Sequence, residues 1–144
     1  MSAMSQSTAP PWLDPENIRF MLRDCTTWAV VGLGHNPSRT AFRIARFLQE
    51  HGKRIVPVHP SAQEVLGETG YPTLADVPFP VDVVDVFRRS EAAGEFADQA
   101  VQVGARGVWF QLGVVDQDAF ARAMAAGVPM VMDTCPLIEW PRYS

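Results

Sequence analysis

A general positive charge is the first thing this chain lacks. With a formal net charge of −4 at pH 7, it offers no basic field to hold nucleic acid or an anionic membrane surface. No apolar stretch reaches the roughly 20 residues of a membrane-spanning helix. The first residues carry no secretory pattern of charge, apolar run and small-residue cleavage site, so the expected location is the cytoplasm. Cysteine is scarce, with only Cys25 and Cys135 present. They are expected before the first strand and after the last, at opposite ends of a sheet whose strands span about 17–20 Å. Bridged cysteines need α-carbons within about 7 Å, so two reduced thiols are expected. Neither Gly-Lys-Ser nor Gly-Lys-Thr occurs, which removes the phosphate-cradling loop of P-loop ATPases. There is no internal repeat, and no metal ligand set is assigned. The small, polar residues 1–11 read as a loose tail ahead of one domain, 12–144.

What is present suits an ordinary globular domain: 144 residues, 47% apolar and 19% charged, a size that buries about 68–70% of the unfolded surface. One stretch organises the rest, 28–39, Trp-Ala-Val-Val-Gly-Leu-Gly-His-Asn-Pro-Ser-Arg. Its apolar, β-branched start suits a buried strand. Gly32 and Gly34 then allow a sharp turn and a close approach to bare backbone. Asn36, Pro37 and Ser38 read as a helix start, followed by the cation Arg39. A strand, a glycine turn and a helix start in that order place unpaired N–H groups at a positive dipole end, where phosphate binds.

Along the chain, Asp14 and Pro15 open an extra N-terminal helix with Ile18, Met21 and Leu22 on one face. Helical spacing recurs over 38–51, 90–104 and 116–126. Strand patterns occupy 28–31, 54–59, 81–87, 107–112 and 128–132. Residues 61–80 hold three prolines and read as an irregular excursion with one short helix at 73–77. Strands alternating with helices over short links predict an α/β, Rossmann-like, doubly wound five-stranded parallel sheet, with the order 3-2-1-4-5 favoured. Ligands of such folds bind at the carboxyl ends of the strands. Here those ends are 32–39, 57–60, 87–89, 111–113 and 133–136.

The glycine pattern alone does not identify the ligand. The dinucleotide fingerprint needs a third glycine, and Pro37 stands in its place; it also needs an acidic residue closing the second strand, which here ends in Val58, His59 and Pro60. NAD is disfavoured on both counts. Six blocks in order carry a more specific likeness: Val-Val-Gly-x-Gly-x-Asn-Pro-Ser-Arg (30–39), Pro-Val-His-Pro (57–60), Val-Leu-Gly-Glu (65–68), Val-Asp-Val-Val-Asp-Val-Phe-Arg-Arg (81–89), Trp-Phe-Gln-Leu-Gly (109–113) and Met-Asp-Thr-Cys-Pro (132–136). In these the sequence resembles the small stand-alone CoA-binding proteins of bacteria, similar in fold to the N-terminal CoA-binding domain of the succinyl-CoA synthetase α chain.

The resemblance implies coenzyme A or an acyl-CoA as cofactor. Gly32, Leu33, Gly34, Asn36, Ser38 and Arg39 would cradle the pyrophosphate. Val58, His59 and Pro60 would border the adenosine, with Phe87 and Arg88 lining the groove. Trp109, Gln111 and Gly113 would lie toward the pantetheine. The sequence departs from the usual pattern at Gly34, where serine is common, and at His59, where asparagine is common.

Plainer readings stand beside these. Trp109 and Phe110 point to opposite faces of one strand, so at least one belongs to the core. Asp85, mid-strand, needs a hydrogen-bond partner. Arg88 and Arg89 can pair with acids such as Asp76 or Glu91. Cys135 is the one candidate nucleophile, for a thioester or for a mixed disulfide with the CoA thiol; a buried inert thiol is its alternative. A binding protein without catalysis of its own is the favoured reading. An NAD(P)-binding module and a thioester-processing enzyme using Cys135 stay open. So does an interaction subunit, a homo-oligomer or partner of an acyl-CoA enzyme, contacting through an apolar tail of Leu137, Ile138, Trp140 and Tyr143.

Overall fold

Five short apolar runs pair side by side, each strand parallel to its neighbours. The computed structural model of the chain describes residues 9–143. Its strands are β1 (Thr27–Val31), β2 (Arg54–Val58), β3 (Val83–Val86), β4 (Gly107–Phe110) and β5 (Met130–Val131). Its helices are α1 (Pro15–Asp24), α2 (Thr40–Glu50), α3 (Ser90–Gln102), α4 (Gln117–Ala125) and α5 (Pro136–Tyr143). The expected tail lies, over residues 1–8, outside the described residues; Pro11 opens a short 3-10 turn, Pro11–Leu13. No helix among the described residues is long and apolar enough to cross a membrane.

The period of two along each strand sorts the core into two layers. Trp28, Val30, Ile55, Val83, Trp109 and Val131 face α1, α2 and α5, packing with Met21, Leu22, Ile44 and Leu48. Ala29, Val31, Val56, Val84, Val86, Val108 and Phe110 face α3 and α4. Alanines supply much of the inner face of those two helices, among them Ala93, Ala97, Ala100, Ala119 and Ala123. Such small residues let helix and sheet approach closely. Cys25 and Cys135 are both buried and unbonded, as expected.

The five-stranded, parallel, doubly wound architecture is as expected, but the strand order is not. It runs β2-β1-β3-β4-β5, so β3 pairs with β1 on the side away from β2. The reason lies in the irregular stretch after β2. Tyr71 makes a single parallel bridge to Val58 on the outer edge of β2: it donates to the Pro57 carbonyl at 3.0 Å and accepts from the His59 N–H at 3.0 Å. One residue thus occupies the edge that a third strand would take in the expected order. The chain then passes through the 3-10 turn Leu74–Asp76 and enters β3 beside β1. The winding therefore reverses between β1 and β3, where the expected order put the reversal between β1 and β4, and the crevice at the carboxyl ends opens beside β3 instead.

The segment read as an apolar tail is the helix α5. Its first turn is set by Cys135, whose carbonyl accepts from the Glu139 N–H at 3.0 Å, followed by a proline at the first helical position. Trp140 packs edge-on against Phe47 and His51, with ring centroids 5.6 and 4.8 Å away. The Arg19 guanidinium lies over the Tyr143 ring. Leu137 and Ile138 stay about half exposed. Two of the four side chains therefore hold the helix in place.

A two-lobed groove at the strand ends

The glycine turn has two glycines with different reasons to be there. Gly32 adopts φ +96°, and a Cβ on it would lie 2.7 Å from the Phe87 carbonyl oxygen. Only glycine lets the ends of β1 and β3 meet so closely. Its own N–H stays in the ladder, donating to Val58 at 2.8 Å. Gly34 has no such need, because a Cβ there meets open space. Beyond it, the Asn36 side chain accepts from the Ser38 N–H at 3.0 Å and from the Ser38 hydroxyl at 2.8 Å. This turn sets the entry into α2, which begins at Thr40 with Arg39 as its N-cap, two residues later than expected and without a side-chain cap. The first amides of α2 therefore face the groove without a helical acceptor.

The first lobe is a cleft of about 780 Å³ between the loops that follow β1, β2 and β3. Its charged and titratable lining is all of one kind: His35, Arg39, His59, Arg88 and Arg89, with no carboxylate. On a chain of net charge −4, this concentrates positive potential in one place. The His59 Nδ1 accepts from the Ser61 N–H at 3.0 Å. The Nε of Arg88 is buried without a partner among the described residues. Arg89 pairs with Glu91 at 3.8 Å on the surface, where such pairs contribute little.

The second lobe, about 620 Å³, shares Thr40, Phe87, Arg88 and Arg89 with the first and runs on to Gln111, Leu112, Gly113, Cys135 and Ile138. Its shape is held by hydrogen bonds from outside. The Asp133 carboxylate accepts from the Gly113 N–H at 2.7 Å. The Ser90 hydroxyl accepts from the Val115 N–H at 3.0 Å instead of capping α3. Gln111 donates to the fully buried Asp85, whose second oxygen has no partner. Burial pushes the Asp85 carboxyl up to about 8, against the lowering effect of the Gln111 bond. Burial likewise raises the Cys135 thiol, partly offset by the amides of Leu137 and Ile138 at the start of α5.

Of the residues expected at the site, Gly32, Gly34, Asn36, Ser38, Arg39, His59, Phe87 and Arg88 line the first lobe. Gln111, Gly113 and Cys135 line the second. Four do not. Leu33, Val58 and Trp109 turn into the core, and Pro60 is exposed outside the lining. Trp109 is wholly buried 5.7 Å from Trp28, with its indole N–H donating to the Thr134 carbonyl at 2.9 Å. Phe110 fills the opposite face, so both aromatics belong to the core. Sequence reasoning missed Thr40, Ser61 and Gln63 in the first lobe and Ser90, Glu91, Val114 and Ile138 in the second, while Leu112 falls within the expected strand end 111–113. Ile138 did carry a signal, as part of the apolar segment 137–143.

Known proteins share this arrangement of chain. YneT of Bacillus subtilis (strain 168), an uncharacterized protein, is 34% identical over 118 residues, 82% of this chain and 87% of that protein. A hypothetical protein from Pyrococcus horikoshii OT3 superposes with a TM-score of 0.87 at 35% identity, covering 96% of this chain and 98% of that one. The dinucleotide-forming acetyl-coenzyme A synthetase 1 of Ca. Korarchaeum cryptofilum, solved with phosphate and ADP, superposes with a TM-score of 0.70 at 25% identity. It covers 79% of this chain, which spans only 27% of that protein. A family model described as a CoA binding domain matches residues 26–141. From the strand before the glycine turn to the closing helix, the chain belongs to the CoA binding domain family.

Proposed function

We propose that the groove binds coenzyme A or an acyl-CoA, with the adenosine phosphates in the first lobe and the pantetheine in the second. One observation carries this reading: the first lobe gathers five basic side chains and no acid, on a chain that is acidic overall. Phosphates there would take charge-assisted hydrogen bonds from Arg39 and Arg88 together with the open amides of α2. The unpartnered Nε of Arg88 fits an incoming acceptor. The second lobe, with Leu112, Val114 and Ile138 on its wall, suits a long, mostly uncharged arm. A dinucleotide such as NAD fits less well, since the first lobe lacks a carboxylate for the ribose hydroxyls. Burial raises the Cys135 thiol and no imidazole lines the second lobe among the described residues, and we assign a binding role without a catalytic step.

A thermal-melt panel tests the reading, because a ligand that binds only the folded state raises the melting temperature. Coenzyme A is expected to raise it more than NAD, NADP, ATP or ADP at equal concentration. Equal shifts with coenzyme A and ADP would reject recognition of the pantetheine arm.

A further inference from the structure

A separate cavity lies between the turn that leads into α1, helix α4 and the end of α5. It holds about 750 Å³ and shares no lining residue with either lobe of the groove. Its walls are fixed from behind. The Trp12 carbonyl accepts from the Met132 N–H at 3.3 Å, which ties the Pro11–Leu13 turn to the chain leaving β5. The Trp12 ring packs edge-on against Phe120, with centroids 5.8 Å apart. Leu13, Ile18, Phe120 and Met124 make much of the lining apolar. One acceptor in it is left open. Glu139 lines the cavity and is only 6% exposed. The Thr134 hydroxyl donates to its Oε2, and Thr134 is no part of the cavity wall, so Oε1 is the oxygen on the cavity side. Oε1 is buried without a hydrogen bond. The Arg142 guanidinium, on the same wall, stands 3.9 Å away on a side chain 69% exposed, beyond hydrogen-bond reach. A buried acceptor without a donor is costly, so a donor entering the cavity gains what the fold leaves unmade. The charged lining is two acids, Asp14 and Glu139, against one base, Arg142.

We infer that this cavity is a second binding site, for a primary amine carried on an apolar, ring-bearing body. The site stands whether or not the groove holds coenzyme A. The ammonium of such a ligand donates to Glu139 Oε1 in a charge-assisted hydrogen bond, and its ring lies among Leu13, Ile18, Phe120 and Met124. A mostly apolar cavity with one or two placed polar groups is the usual build of a small-molecule site. The head group decides the preference. An alcohol of the same shape supplies the donor without the charge. A carboxylate supplies no donor to Oε1 and meets two acids with one base.

Tryptamine, tryptophol and indolepropionate share one ring and differ in head group, so titrating each into the isotope-labelled full chain, followed by NMR amide shifts, tests this. Tryptamine is expected to shift the amides of Asn17, Ile18, Phe120, Met124 and Arg142. It should bind at least about tenfold more tightly than tryptophol, as a charged hydrogen bond requires, with indolepropionate weakest. Glu139→Gln keeps an acceptor for Thr134 and sets an amide NH2 where Oε1 stood. It should weaken tryptamine by about tenfold and leave tryptophol little changed. Arg142→Ala, at an exposed position, removes the base that competes for Oε1 and should tighten tryptamine about threefold, the scale of an exposed ion pair. This variant keeps the test decisive if Glu139→Gln fails to fold. Equal affinities for tryptamine and tryptophol would overturn the inference. So would shifts confined to residues outside the cavity, undiminished tryptamine binding by folded Glu139→Gln, or no tightening in Arg142→Ala.

Discussion

The two lobes of the groove are built by different means. The first is made of loops that follow β1, β2 and β3, and its polar groups stand at the surface: Asn36, Ser38, Arg39 and Ser61 are all exposed. The second reaches inward, where Gln111 is 5% exposed, Cys135 8% and Asp85 not at all. Exposed amides and guanidinium groups gain little from burial, so the first lobe needs only a turn that aims them. Buried carboxyl and thiol groups respond strongly to their surroundings, and both are raised here. The first lobe thus gathers exposed basic groups, and the second lies over buried groups whose burial favours their protonated forms.

Three measurements would break or sharpen that contrast. The largest effect is expected at the wall shared by both lobes. Gly32→Val forces a side chain against the Phe87 carbonyl at positive φ, and the steric and conformational costs together come to about 2–5 kcal/mol in urea unfolding. Gly34→Ser, in open space, should change stability by less than about 0.5 kcal/mol. Comparable losses in the two variants would remove the distinction drawn between these glycines.

Next comes the first lobe alone. Arg39→Ala should weaken coenzyme A binding by about 1.5–3 kcal/mol, the range for hydrogen bonds to charged groups, while leaving the unfolding midpoint nearly unchanged. An unaltered dissociation constant would clear Arg39 of phosphate contact.

The smallest effect per step belongs to the second lobe. Folded Asp85 keeps its proton up to about pH 8, whereas the unfolded chain releases it near the ordinary 3.8. Between those values unfolding releases a proton, so this site makes stability fall as pH rises, by at most about 1.4 kcal/mol per pH unit. Asp85→Asn should flatten that dependence in urea titrations between pH 5 and 8. Parallel profiles for the two proteins would show that Asp85 is ionised in the folded state.

Much of this was legible before any coordinates. The strand, glycine turn and helix start at 28–39 announce themselves locally, because a β-branched run, a turn residue and a cap are each nearest-neighbour effects. Asp14 caps α1 by accepting from the Glu16 N–H, and Asp116 caps α4 by accepting from the Ala119 N–H. Trp109 misled because side-chain alternation tells which residues share a face and not how far along the strand the core ends. Helix α5 was hidden because Pro141 interrupts a short pattern, although a helix can carry a proline where packing supports it. Ser90 illustrates the same limit: a hydroxyl suited to capping its own helix is taken up by the β4–α4 loop.

Alternation, turn chemistry and spacing, all short-range properties, were sufficient by themselves for the parallel α/β class and for the strand, glycine turn and helix start at 28–39. Strand order was settled only in three dimensions, because one bridging residue, Tyr71, fills the edge that a whole strand was expected to take. The meeting of Asp85 with Gln111 was likewise decided by packing, since residues from separate crossovers have no local signal that brings them together.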